Sequence, residues 1–246
     1  MRKPAKVRLD DLLVAQGYFP DREAALRAVL AHEVRVDDVY AASAAILVSP
    51  DADIFVRGTK RYVSRGGRKL EGALRAFNLD VTGARCIDVG SSTGGFTDCL
   101  LQAGAASVAC VDVNYGQLAW QLREDVRVAV FERTNIKTAD PAALGAPFDV
   151  IVADVSFISL AGLAPAFAAC AQPGTVFVGL VKPQFESAHD ETDRGVVRDE
   201  AVRLRTVGEV ADALEAAGFA VRGTVESPIT GPEGNIEYLV YAVFGV

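Results

Sequence analysis

Cys86-Ile87-Asp88-Val89-Gly90-Ser91-Ser92-Thr93-Gly94-Gly95-Phe96-Thr97 is the stretch that decides how this chain folds. A short apolar strand runs into a glycine-rich turn and then into a helix starting near Phe96. Glycines let the backbone approach a ligand closely, and free N–H groups at a helix start suit a carboxylate or phosphate. Gly90, Gly94 and Gly95 do not follow the G-x-G-x-x-G spacing of a dinucleotide-binding turn, which moves the expected ligand away from NAD.

Outward from that turn, strand and helix signals alternate. Strands are predicted at 86–89, 108–111, 126–131, 150–153, 176–181, 220–225 and 238–244. The longest helical pattern, 200–217, puts Val207, Val210, Ala211 and Leu214 on one face and stops at Gly218. Near-continuous apolar strands with interposed helices predict an α/β fold, a mostly parallel seven-stranded sheet covered on both sides. Its active groups belong at the carboxyl ends of the strands. Four successive strands end in polar residues there: Asp88, then Asp112, then Arg133-Thr134-Asn135, then Asp154. Asp112 suits ribose hydroxyls, and Asn114, Tyr115 and Gln117 extend its loop toward a nucleoside. Asp and Asn acting as ordinary helix caps explain any one of these, the set less easily. Lys182 follows the fifth strand, either as a surface charge or as a partly desolvated amine whose behaviour its neighbours set. Glu237 follows the turn-rich Thr230–Asn235 and brings another carboxylate toward the same opening.

Before this body lies a different composition. Net charge is −7, yet residues 1–85 carry 15 Lys/Arg against 11 Asp/Glu, and the remainder 10 against 21. The first ~56 residues read as a small module. Leu9, Leu12 and Leu13 recur at helical spacing, and a second helical segment follows Pro20-Asp21. Short strands are predicted at 34–36, 46–48 and 54–56. Residues 57–69 hold six basic residues and no acid. Gly66-Gly67 is expected to break regular structure there, giving a basic connection into a helix beginning near Lys69. Arg and Lys suit phosphates and Tyr62 suits base stacking; a solvated linker is the plainer alternative. Cys86, Cys99, Cys110 and Cys170 lack CxxC spacing and sit among apolar neighbours, so buried free thiols in a reducing compartment are expected. With no apolar signal segment and no uninterrupted apolar run of ~18 residues, the chain is expected to be soluble and cytoplasmic, without stable membrane association. The two histidines, His32 and His189, lie far apart and suggest no metal site.

Six segments together resemble a known family. They are Val63-Ser-Arg-Gly-Gly-Arg-Lys69-Leu70, Asp88–Thr97, Tyr115-Gly-Gln-Leu-Ala-Trp120, Asp154-Val-Ser-Phe-Ile-Ser159, Leu180-Val-Lys-Pro-Gln-Phe-Glu186 and Gly234-Asn-Ile-Glu-Tyr238. Over essentially its full length the chain resembles the TlyA proteins, also called hemolysins, within the FtsJ-like RNA methyltransferases. The resemblance implies an S4-like RNA-binding domain (1–58), a basic linker (59–68) and a class I, Rossmann-like methyltransferase domain (69–246) that uses S-adenosylmethionine (SAM). It implies methyl transfer to the ribose 2′-hydroxyl of cytidine in 23S rRNA, 16S rRNA or both, with ribosomal RNA or ribosomal subunits as partner. A catalytic Lys-Asp-Lys-Glu tetrad falls on Lys69, Asp154, Lys182 and Glu237. Cofactor contacts fall on Asp88, Gly90, Ser91, Ser92, Thr93, Gly94, Gly95, Asp112, Val113, Asn135 and Asp154. RNA contacts are expected from Arg8, Arg22, Arg27, Arg35, Lys60, Arg61, Arg65 and Arg68. Relatives commonly carry Gly-Lys before the Val34-Arg35-Val36 strand, where this chain has His32-Glu33; an acid there weakens a phosphate-binding surface. A non-catalytic RNA-binding factor, a membrane-lytic protein and a small-molecule methyltransferase are the rival readings; the last leaves the basic module unexplained.

Overall fold

A computed structural model describes residues 6–37, 39–50, 52, 54–58, 61–231 and 233–245; Lys60 lies outside them. The chain divides into two compact units, Met1–Arg61 and Tyr62–Val246.

In the first unit β1 (Val7–Arg8) leads into α1 (Leu9–Ala15), followed by α2 (Arg22–Leu30). Asp21 starts α2 by accepting from the N–H of Ala24 at 2.8 Å. Next come β2 (Val34–Val36), β3 (Val39–Tyr40), β4 (Leu47–Val48) and β5 (Ile54–Val56). They form a three-stranded sheet ordered β3-β2-β5 and a β1-β4 pair, all antiparallel. Leu9, Leu13, Ala25, Val29, Val34 and Val56 close its core. The two-residue strands β1 and β3 are too short to leave a periodic signal in the sequence.

The second unit opens with α3 (Gly66–Ala76), β6 (Arg85–Val89), α4 (Gly95–Gln102), β7 (Ser107–Val111), α5 (Trp120–Arg123) and β8 (Val128–Phe131). It continues with α6 (Pro141–Leu144), β9 (Phe148–Ala153), α7 (Ala164–Ala169), β10 (Ala171–Val181), α8 (Pro183–Glu186), α9 (Glu200–Ala216), β11 (Phe219–Glu226) and β12 (Tyr238–Phe244). The seven strands β6–β12 lie in the order β11-β12-β10-β9-β6-β7-β8. Only β12 runs antiparallel to its neighbours. Alternation along each strand splits the apolar residues between two cores. Ile87, Ile151, Phe177 and Val240 face α6, α7 and α9, with Val210 and Leu214 among their partners. Cys86, Val150, Val178 and Leu239 face α3, α4 and α5, with Leu70, Phe96 and Leu100.

Two expectations change here. Helix α3 starts at Gly66, not near Lys69, and Tyr62 to Arg68 belong with the second unit rather than with a linker. Tyr62 is buried in the α3/α4 core, and Asp98 accepts from the N–H of Val63 at 2.8 Å. The glycine pair serves close packing: a Cβ on Gly67 would lie 2.2 Å from the Tyr62 ring. Strand β10 also starts earlier than Val176, at Ala171, through a bulge that absorbs the turn-like Pro173-Gly174. The four cysteines are free and buried, and burial pushes the Cys86 and Cys110 thiols up to about 12. Among the described residues no helix is long and apolar enough to cross a membrane.

Candidate active site

The register of the parallel strands places the polar strand ends side by side. Val89 pairs with Val111 on one side and Ala153 on the other, so Gly90, Asp112 and Asp154 follow at neighbouring strand ends. The crevice between β6 and β9, where the strand order reverses, is the ligand position of an open α/β sheet. A Cβ on Gly90 (φ 81°) would sit 2.6 Å from the Asp154 carbonyl oxygen, so only bare backbone closes this corner. Gly94, also left-handed, precedes α4, and a Cβ on Gly95 would strike the Ser64 hydroxyl. Ser92 and Thr93 are exposed and Ser91 is buried. The Ser92 N–H donates to Asp112 at 2.8 Å, and the Asn114 N–H donates to the other Asp112 oxygen at 2.7 Å, which fixes that carboxylate beside the turn. Val113 and Asn135 lie exposed on the adjoining loops; Asn135 accepts from the Lys137 N–H at 3.0 Å. Tyr115 is likewise exposed, its ring 4.4 Å from the Arg133 guanidinium.

Asp88 departs from expectation. It is fully buried, and one carboxylate oxygen accepts from the Thr97 N–H at 2.9 Å and the Thr97 hydroxyl at 2.7 Å. Asp88 therefore takes up one of the N–H groups at the start of α4 and supports the turn from beneath. Its other oxygen is buried without a hydrogen-bond partner. Burial, reinforced by the nearby Asp154 and Asp112, pushes this carboxyl up to about 7 against the Thr97 hydrogen bonds.

The four tetrad positions form two ion pairs. Lys69, in the first turn of α3, meets Glu237 at 2.5 Å with both side chains buried. Lys182 meets Asp154 at 2.6 Å and donates to the Ser156 hydroxyl at 2.8 Å. Val181 pairs with Tyr238, so Lys182 and Glu237 emerge at adjoining strand ends. A Cβ on Gly66 would lie 3.8 Å from Asp154, which sets the start of α3 against the same carboxylate. Charge pairing thus links residues as far as 168 positions apart. Glu237 holds Lys69, whereas Asp154 holds Lys182.

Three features were missed in the sequence. Thr97 ties down Asp88; its signal lay in the glycine-turn segment itself. Ser156 shares Lys182. The loop bearing Ser156 is anchored by Glu186, which accepts from the Ser159 hydroxyl at 2.7 Å and the Leu160 N–H at 2.6 Å. Phe157 is 91% exposed with φ 64°, 5.1 Å from the Phe185 ring. That ring in turn lies 5.9 Å from the Lys182 amine.

The arginines expected to meet RNA are mostly engaged. Arg8 pairs with Asp10 at 2.6 Å, Arg22 with Asp11, and Arg27 with Glu23 at 2.7 Å. The Arg8 guanidinium holds the Asp10 carboxyl below its usual range. Arg35 lies 4.4 Å over the Phe55 ring. Arg65 donates to the Thr230 carbonyl at 2.8 Å, and Arg61 and Arg68 also have partners.

A seven-stranded sheet with β12 reversed, a glycine turn at the reversal of strand order and an acid at the next strand end define a class I SAM-dependent methyltransferase. The fold agrees with that of a SAM-dependent methyltransferase from Mesorhizobium loti, 22% identical with a TM-score of 0.51 over 70% of this chain and 96% of that one. The model of the FtsJ-like methyltransferases matches residues 62–244. The 16S/23S rRNA (cytidine-2′-O)-methyltransferase TlyA of Mycobacterium tuberculosis is 45% identical over 96% of this chain and 89% of its own length. A solved Streptococcus thermophilus structure carrying the name hemolysin is 40% identical, with a TM-score of 0.74 over 98% of this chain and 89% of that one. The chain belongs to the FtsJ-like methyltransferase family, in its TlyA branch.

Proposed function

We propose that this protein methylates the ribose 2′-hydroxyl of cytidine in ribosomal RNA, of the large subunit, the small subunit or both, and does so in the cytoplasm. The observation that carries the reading is the convergence of the Lys69–Glu237 and Lys182–Asp154 pairs beside the glycine turn. The first unit acts in this reading as an S4-like RNA-binding domain, with Arg8, Arg22, Arg27, Arg35, Lys60 and Arg61 as its basic residues, joined by Arg65 and Arg68 at the start of the second unit.

The residues present fit the methyl donor. Backbone at Gly90–Gly95 would hold its methionine end, Asp112 would accept from its ribose hydroxyls, and Val113 and Asn135 would hold its adenine. Asp112 and Asp154 bring acids to the site's edge, in keeping with a cationic ligand, while Asp88 supports the turn from beneath through Thr97. SAM supplies a methyl group on a positively charged sulfur. A ribose hydroxyl is a weak nucleophile, so the protein must align it with that methyl and remove its proton as the new C–O bond forms. Lys182 takes or orients this proton, and Asp154 positions Lys182. Lys69, held by Glu237, adds positive potential where the oxygen becomes electron-rich. Phe157, exposed on the loop after Asp154, offers a face on which an unstacked base can rest.

Lys182→Ala should lose single-turnover transfer of labelled methyl from SAM to unmodified ribosomal subunits while keeping SAM binding, because it acts on the chemical step. Wild-type transfer by that variant would rule out the assigned role.

A further inference from the structure

The Lys182 amine is tetrahedral: Cε occupies one direction and three remain. The Ser156 hydroxyl accepts along one of these at 2.8 Å, whereas Asp154 Oδ1 lies 2.6 Å from the amine as a charge contact without a hydrogen bond. The remaining directions are available to a substrate. With the Asp154 charge contact alone the amine would be free to rotate; the directional bond to Ser156, from the same loop, fixes how its remaining directions point. We infer that Ser156 is a positioning residue for methyl transfer, one that sets the orientation of Lys182 toward the 2′-oxygen; the inference rests on the proposed role of Lys182.

Three observations support it independently of that role. The loop that carries both anchors is itself held, because Glu186 binds the Ser159 hydroxyl and the Leu160 N–H. Ser156 is exposed, so its side chain serves no core packing, and the Lys182 contact is the bond its hydroxyl makes. Phe157, the next residue, holds an uncommon positive φ, a backbone condition that persists when surrounding contacts demand it. The arrangement puts no requirement on the protonation state of Lys182: a remaining direction holds an N–H or a lone pair, and either addresses the substrate hydroxyl.

The test compares Ser156→Ala with Ser156→Thr, which restores a hydroxyl. The readouts are single-turnover methyl transfer from labelled SAM to unmodified ribosomal subunits, SAM and RNA affinity, and melting temperature. Ser156→Ala should slow the chemical step roughly tenfold, the scale of one lost side-chain hydrogen bond. Both affinities and the melting temperature should stay unchanged, and Ser156→Thr should recover most of the rate. In a Lys182→Ala background, adding Ser156→Ala should cost nothing more, since both act through one amine. A wild-type rate for Ser156→Ala overturns the inference. So does a slow variant whose affinity or melting temperature falls in parallel and which threonine does not rescue, the mark of a merely structural residue. The two readings fail separately: normal transfer by Lys182→Ala removes the tetrad assignment, whereas a slow Lys182→Ala beside a normal Ser156→Ala removes only the positioning role.

Discussion

Asp88 shows how far a single residue's setting can depart from its sequence context. A strand-end acid before a glycine turn reads as a ligand contact, yet this one faces inward, satisfied on one oxygen by Thr97 and bare on the other. The folded protein holds its proton up to about pH 7, against a usual value of 3.8. Between those values the folded state binds more protons than the unfolded chain, so this group's contribution to stability falls as pH rises from about 4 to about 7 and then levels off. Asp88→Asn keeps the acceptor for Thr97 and places an uncharged amide at the bare position. It should match the wild type near pH 4 and exceed it at pH 8 by a few kcal/mol, on the order of three pKa units. Thermal unfolding at the two pH values checks this; equal melting temperatures of variant and wild type at pH 8 would mean that folding does not raise the affinity of this carboxyl for its proton.

Among elements, α3 and β12 carry the heaviest interdependence. Their junction is the buried Lys69–Glu237 pair. Taking away one partner leaves a desolvated charge, which costs about 3–5 kcal/mol, while replacing both with apolar residues is close to neutral. Glu237→Gln should therefore lower the urea midpoint sharply. The Lys69→Met/Glu237→Leu double variant should regain most of that stability yet remain inactive; a double variant as unstable as the single one would show that the pair does not govern this junction. The sequence revealed most of these elements, because strands such as Val150–Ala153 and Tyr238–Phe244 are apolar without interruption and bounded by turn residues. It did not reveal where α3 begins. Gly66-Gly67 is locally a helix breaker, and only the Tyr62 ring lying over it explains why glycine belongs in a first turn. The tetrad's members were legible through family resemblance, but their pairing depends on the Val181–Tyr238 register, a contact between segments distant in the chain.

At the scale of the whole molecule, charge is distributed against first appearance. In sequence a basic front end precedes an acidic body, but Arg8, Arg22 and Arg27 are already matched to carboxylates. Such exposed pairs are weak and can be exchanged for phosphates. Raising salt from 50 to 200 mM should accordingly weaken binding to ribosomal RNA by roughly tenfold or more, as for three or so phosphate contacts. SAM binding, set in a closed corner of the sheet, should change by less than about twofold. Filter binding and calorimetry measure the two; an RNA affinity indifferent to salt would argue against the basic front end as the docking surface. The distance along the chain between Lys69 and Glu237 has a further consequence, one of timing. At about 5–20 residues per second of synthesis, the 168 residues between them separate the two by roughly 8 to 34 seconds. The site is completed only when the last strand arrives and takes its place between β10 and β11. A nascent chain still lacking β12 therefore lacks Glu237 and carries no complete set of the two ion pairs.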